Sequence, residues 1–327
     1  MDILFSNISK EYRVKKQQAS LFQDLFNRKY SEKVALKDVS FQVNKGEVVG
    51  YIGPNGAGKS TTIKIMTGIL KPTQGTCRIL GVDPMENRMQ FVKRVGVVFG
   101  NRSNLMWDLP VIDSFNMMQK IYKIPRVDFL DNLHELVTLM NVKNFLSTPV
   151  RQLSLGQQMR CEIIVALLHS PEILFLDEPT LGLDARSKIA VHQFIKKINE
   201  EKNLTVVLTT HDMGDIEALT SRAIIIGKGS KLFDGDFSSI KDKYQQYKKV
   251  RIEINQLNQI DEVVSQIKND FNCELMTISA NEIVVGIKND FERLIQFIVN
   301  TETIDNYQVQ SLNIEEIIAR YYSELDI

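Results

Sequence analysis

Apolar and polar residues alternate along 2–14 and 34–52, as strands with one buried face require. Within the second stretch, Glu47-Val48-Val49-Gly50-Tyr51-Ile52 becomes almost continuously apolar, the pattern of a buried strand. A helical run over 59–68 follows it. Short apolar runs at 95–99, 173–176 and 204–209 predict further buried strands, and residues from about 103 to 165 are mostly helical in pattern. Between the first two strands lies an insert in which Leu21, Phe22, Leu25 and Phe26 recur at helical spacing, flanked by Lys15, Lys16, Arg28, Lys29 and Lys33. Such a segment suits either an amphipathic helix that touches a membrane or permease, or packing on the neighbouring sheet.

The pattern changes after Gly235. Val250, Ile252 and Ile254 alternate, 259–270 is helix-like, 273–278 and Ile283, Val285 and Ile287 make two strands, 290–300 is helix-like and 307–312 strand-like. That order, β-α-β-β-α-β, is the split βαβ arrangement of ferredoxin-like domains. A last helix over 314–325 places Ile314, Ile317, Ile318 and Tyr321 on one face. Acidic residues outnumber basic ones from 241 onward and no phosphate-type motif occurs there. The expected domains are 1–236 and 237–327, the second either a dimer-stabilising module or the holder of a regulatory ligand.

Composition narrows the class. The chain has 327 residues, 43% hydrophobic and 24% charged, ordinary for a globular protein of two domains. Its formal net charge is zero, so no global field recruits nucleic acid, and no nucleic-acid partner is expected. No apolar run approaches the roughly 18 residues of a membrane-spanning helix, and the N-terminus lacks the layout of a signal peptide. Cys77, Cys161 and Cys273 are scattered singly and read as reduced structural thiols, with no metal site of their own.

The chemistry is concentrated in five short segments. Gly53-Pro54-Asn55-Gly56-Ala57-Gly58-Lys59-Ser60 fits G-x-x-x-x-G-K-[ST] between a strand and a helix. Its glycines let backbone N–H groups curl round phosphates, Lys59 supplies charge to the outer two, and Ser60 offers a hydroxyl to Mg²⁺. Four apolar residues then lead into Asp177-Glu178, with Asp177 suited to holding Mg²⁺ and Glu178 to polarising an attacking water. Leu153-Ser154-Leu155-Gly156-Gln157 opens the helical run 158–169, which puts Ser154 and the N–H groups around Gly156 at a positive helix end. Leu183-Asp184 and His211 complete the set.

Taken in order, these segments resemble the ATP-binding subunits of ABC transporters over roughly residues 2–230, and most of all the daunorubicin-resistance type that powers separate permeases. The resemblance implies an α/β fold: a P-loop NTPase with a RecA-like core, antiparallel β and helical subdomains (the latter about 103–165), plus the small α+β ferredoxin-like domain. It implies a head-to-tail homodimer with two ATP molecules between the subunits. Each ATP would contact Gly53, Pro54, Asn55, Gly56, Ala57, Gly58, Lys59, Ser60 and Thr61 of one chain and Ser154, Leu155, Gly156 and Gln157 of the other. Asp184 would lie beside it, His211 would contact the γ-phosphate, and Tyr12 would stack on adenine, with Tyr30 as its competitor. Asn101 stands where the family usually has a Gln that reaches Mg²⁺ and water; it keeps the amide but is one methylene shorter. Leu155 stands where Gly is usual. Trp107-Asp108-Leu109-Pro110 falls where the family receives its permease, or else anchors a loop. The implied activity is ATP hydrolysis that powers a membrane permease from the cytoplasmic face, with a lean to export of a substrate that the sequence does not identify. The alternatives are a soluble ABC ATPase acting on ribosomes or DNA, and an ATP-binding structural subunit with little hydrolysis.

Overall fold

The computed structural model describes residues 1–15, 30–100, 102–255, 260–279 and 281–325. The insert with Leu21, Phe22, Leu25 and Phe26, and Asn101, lie outside the described residues, as does the side chain of Tyr30. The chain divides into two compact units, Met1–Asp236 and Phe237–Ile327.

In the first unit, β1 (Ile3–Lys15) pairs with β2 (Tyr30–Val43) and with β4 (Gln74–Ile79) in an antiparallel sheet of order β2-β1-β4. Both long strands continue past the ends that the apolar alternation predicts, with Lys15 opposite Tyr30. Backbone pairing carries them there, and main-chain bonds place no demand on side-chain type. A second sheet has the order β5-β6-β7-β3-β8-β9. It is built from β3 (Val48–Ile52), β5 (Val95–Phe99), β6 (Ile173–Asp177), β7 (Thr205–Thr210), β8 (Arg222–Gly227) and β9 (Ser230–Asp236). The first five are parallel and β9 runs antiparallel to β8. Strand β7 starts and ends one residue later than the apolar run 204–209 suggests, because Thr210 is as buried as its neighbours. The helices are α1 (Lys59–Met66), the short α2 (Arg88–Phe91), α3 (Val111–Tyr122), α4 (Arg126–Leu139), α5 (Leu155–Leu167), α6 (Ala185–Lys202) and α7 (Met213–Leu219).

The core of this unit is packed between the two sheets and α1. Phe5, Phe41, Tyr51, Phe91 and Phe175 belong to one buried cluster, with Phe5 and Phe41 stacked at 4.8 Å. Each such side chain removed from water contributes about 2–3 kcal/mol, and together they hold β3 rigid under the loop that follows it. Ile173, Leu174, Phe175 and Leu176 are all fully buried, since β6 is covered on both faces. Crossover helices force every parallel strand to end on the same edge. The carboxyl ends of β6, β7 and β3 are therefore neighbours, which is the P-loop NTPase arrangement.

The second unit starts with α8 (Phe237–Tyr244), a helix the periodicity of this region does not announce, anchored by buried Phe237, Ile240 and Tyr244. Next come β10 (Lys248–Ile254), α9 (Ile260–Asp270), β11 (Cys273–Ile278), β12 (Glu282–Ile287), α10 (Phe291–Asn300), β13 (Ile304–Ser311) and α11 (Ile314–Glu324). The sheet is antiparallel throughout with the order β11-β12-β10-β13, the ferredoxin-like topology. Val250, Ile252 and Ile254 pack with Ile283, Val285 and Ile287 against Val263 and Ile267 of α9 and Leu294 and Ile298 of α10. Strand β13 begins three residues before the apolar signal at Tyr307. It is an edge strand, almost wholly exposed, and its main-chain bonds to β10 define it.

Candidate active site

Loop 53–58 leaves β3 and enters α1 by way of residues that only glycine tolerates. Gly58 has φ +113°, and a Cβ there would lie 2.6 Å from Leu36 Cδ2 and 2.7 Å from the Ala35 carbonyl. Gly56 has φ +83° and open space in front of it, so its conformation, and not crowding, calls for glycine. We expect Gly58→Ala to destabilise the first unit by about 2 kcal/mol or more and to weaken nucleotide binding. Urea unfolding together with nucleotide titration checks both, and unchanged values for each would mean that the loop relaxes freely.

Lys59 begins α1 and is 6% exposed. Its ammonium donates to the carbonyls of Gly53 (2.6 Å) and Pro54 (3.4 Å) and lies 3.7 Å from Glu178 Oε1. Burial pushes its pKa below the usual value, and the Glu178 and Asp177 carboxylates work against that. This buried cation at the mouth of a loop of backbone N–H groups is matched to a polyanion. Ser60 and Thr61 follow in the first turn of α1, Ser60 exposed and Thr61 half-buried.

Asp177 ends β6, and its Oδ1 accepts a hydrogen bond from Thr209 Oγ1 at 2.5 Å. Glu178 follows with φ +54°, an uncommon conformation for a residue with a side chain. Its backbone N–H is held by the Thr209 carbonyl at 3.0 Å. Glu178 Oε1 also lies 3.3 Å from His211 Nδ1, so one carboxylate faces Lys59 on one side and the half-exposed His211 on the other. Three adjacent strands thus deliver the phosphate-type loop, the acidic pair and the histidine to one place.

A cleft of about 620 Å³ opens over this place. Pro54, Asn55, Gly56, Gly58, Lys59, Ser60, Thr61 and Glu178 line it, together with Tyr12. Tyr12 is half-buried, with its hydroxyl 3.4 Å from Thr61 Oγ1. Arg13, Val34 and Ala35 line it too, although nothing in their sequence pattern marks them. Gly53 and Ala57 are buried beneath the loop.

Ser154, Leu155, Gly156, Gln157 and Asp184 do not line this cleft among the described residues. Ser154 caps α5 in a reciprocal capping box: its hydroxyl accepts the Gln157 N–H at 3.3 Å and its own N–H reaches Gln157 Oε1 at 2.9 Å. Asp184 caps α6 by accepting from the Ser187 N–H and hydroxyl, both at 2.9 Å, and these bonds hold its carboxyl below the usual range. A Cβ on Gly156 would sit 2.1 Å from Ser187 Oγ, so the two helix starts touch. Leu155 (61% exposed) and Leu181 (54%) present apolar side chains to solvent here.

Comparison with known proteins agrees with this geometry. The ABC transporter family profile matches residues 36–181. The chain is 30% identical over 206 residues to the ABC transporter ATP-binding protein NatA of Bacillus subtilis, covering 63% of this chain and 83% of that protein. The chain belongs to the ABC transporter ATP-binding family. It is 34% identical over 224 residues to the methionine import ATP-binding protein MetN 2 of Enterococcus faecalis, covering 67% of this chain and 65% of the relative. Its fold is shared with the dimeric, post-hydrolysis ATP-binding cassette MJ0796 bound to ADP and Pi, at TM-score 0.59 and 27% identity over 72% of this chain and 98% of the cassette. This ABC ATP-binding subunit is an ATPase.

Proposed function

We infer that this subunit hydrolyses MgATP as a head-to-tail homodimer and so powers a separate integral-membrane permease from the cytoplasmic face of the membrane. One observation carries the reading: Glu178 faces both Lys59 and His211 at a phosphate-type loop, while the Ser154 segment of the same chain lies outside the cleft. A single chain therefore holds half of the expected contacts, and a second copy supplies the other half. The cassette MJ0796, a fold relative, is itself dimeric.

In this reading the loop N–H groups and Lys59 bind and orient the phosphates, and Tyr12 at the cleft wall packs on the base. Glu178 accepts a proton from the attacking water, and His211 holds both that carboxylate and the γ-phosphate side of the site. Ser60 and Asp177 present only hard oxygen donors, which fit Mg²⁺. When bound, Mg²⁺ neutralises charge on the phosphates. Asn101 keeps its assignment from the sequence as an amide near metal and water.

No helix among the described residues is long and apolar enough to cross a membrane; in this reading the solute path belongs to the separate permease. Trp107 (56% exposed) and Leu109 (43%) present a surface suited to such a partner in the segment after Asn101. The resemblance to the daunorubicin-resistance type favours export over import in this reading. Affinity purification of the full chain from its own membranes should retain a polytopic permease, and adding that permease should raise the ATPase rate. Recovery of ribosomal proteins alone would remove the transport reading and favour the ribosome-acting alternative.

A further inference from the structure

The sequence motifs leave out Asp215, yet among the described residues it is the most buried carboxylate. Asp215 sits in the first turn of α7 and is fully buried. Its Oδ2 accepts from Thr180 Oγ1 at 2.5 Å and from Thr210 Oγ1 at 2.7 Å, and its Oδ1 lies 2.8 Å from His192 Nε2. A carboxylate taken out of water costs several kcal/mol unless it is fully hydrogen-bonded. Here three donors from three separate segments satisfy it. Burial pushes the Asp215 pKa up, but the bonds from His192, Thr180 and Thr210 outweigh it and hold the group below the usual carboxylate range.

The three segments are the ones that carry the candidate chemistry. Thr180 lies just beyond Glu178, Thr210 directly precedes His211, and His192 belongs to α6, the helix capped by Asp184. Thr180 and Thr210 are each 2% exposed, so water cannot replace their bonds. A second tie runs in parallel. Asp212 caps α7 through the Gly214 N–H at 2.9 Å and forms an ion pair with Lys188 of α6. The titratable and charged groups around Asp215 are thus His192 and Lys188 from α6 and Asp212 at the N-cap of α7. Glu178 has a left-handed backbone, a conformation that persists only where its surroundings over-determine it. The bonds to Thr180 and Thr210 supply that constraint on both flanks of the Glu178–His211 pair.

We propose that Asp215 is a positioning residue for ATP hydrolysis, clamping the segment after Glu178, the segment before His211 and helix α6 into one unit. The Glu178 carboxylate and the His211 ring then keep their mutual geometry and move only together with Asp184. This proposal rests on the assignment of Glu178 and His211 to the hydrolytic site.

The test uses the full chain and four variants: Thr180→Val, Thr180→Ser, Asp215→Asn and Glu178→Gln. Each is measured for ATP turnover, ATP affinity, nucleotide-binding stoichiometry and Tm. Val keeps the shape of Thr and loses only the hydroxyl, which makes it the cleanest probe. Thr180→Val and Asp215→Asn are expected to lower kcat per bound nucleotide about 10- to 100-fold, the scale set by roughly 1 Å misplacements, with ATP affinity within about twofold of wild type. Thr180→Ser should recover most of the rate lost with Val, because it restores the donor. Wild-type kcat per bound nucleotide in Thr180→Val overturns the clamp, and so does a loss confined to Tm or stoichiometry. If Glu178→Gln itself turns over at the wild-type rate, the hydrolytic assignment fails first and the clamp falls with it, an outcome read separately from the Thr180 pair.

Discussion

Glu178→Gln should bind MgATP as tightly as the wild type and turn it over about 1,000-fold more slowly. That loss corresponds to about 4 kcal/mol of transition-state stabilisation. The expectation rests on what the substitution leaves untouched. Gln fills the same space, and Lys59 keeps its bonds to the Gly53 and Pro54 carbonyls. The binding loop therefore stays formed. What disappears is a carboxylate that can accept a proton and that draws His211 to within 3.3 Å. Removing the negative charge next to the buried Lys59 leaves that cation freer to meet phosphate, so affinity holds or rises. Pre-steady-state binding and single-turnover hydrolysis separate the two effects. Turnover at the wild-type rate would take the base assignment away from Glu178.

Complementation between two dead chains should restore activity. A chain with Lys59→Ala loses the buried cation that meets phosphate, and a chain with Ser154→Arg carries a long charged side chain at the cap of α5. Each alone forms dimers in which both sites are broken. In a mixed dimer one site collects both lesions and the other collects none. An equal mixture should therefore recover about a quarter of wild-type turnover if the chains pair at random. The structural basis is the separation of the cleft lining from the Ser154 segment, which sits at the start of α5 against Ser187. Turnover of the mixture no higher than that of either chain alone, with crosslinking showing mixed dimers present, would sink the shared site.

Much of the first unit could be read from short-range patterns. The run 173–176 is apolar at every position because β6 is buried on both faces, and that state writes itself into neighbouring residues. Ser154 and Gln157 announce a helix start because a capping box is a local device, closed within four residues. The β-α-β-β-α-β order of the second unit was legible for the same reason, since half-buried strands and amphipathic helices each have their own period. Helix α8 was not, because its buried Phe237, Ile240 and Tyr244 span too short a stretch for periodicity to stand out. The ends of β1, β2 and β13 escaped as well, where main-chain pairing places no demand on side-chain type.

By itself, the amino-acid sequence determined the kind of machine. A glycine-rich loop before a lysine, an acidic pair closing a buried strand and a histidine after another are combinations whose chemistry depends on residue identity, and identity is what a sequence records. Tertiary structure alone decided how these parts act on one another. Glu178 meets Lys59 and His211 only because β6, β7 and β3 lie side by side. Asp215 gathers Thr180, His192 and Thr210 from three separate segments, and neither its own type nor its neighbours in sequence signal it. Contacts of that kind are closed by packing across the chain, where the burial of a charge and the donors that satisfy it are chosen together by the fold.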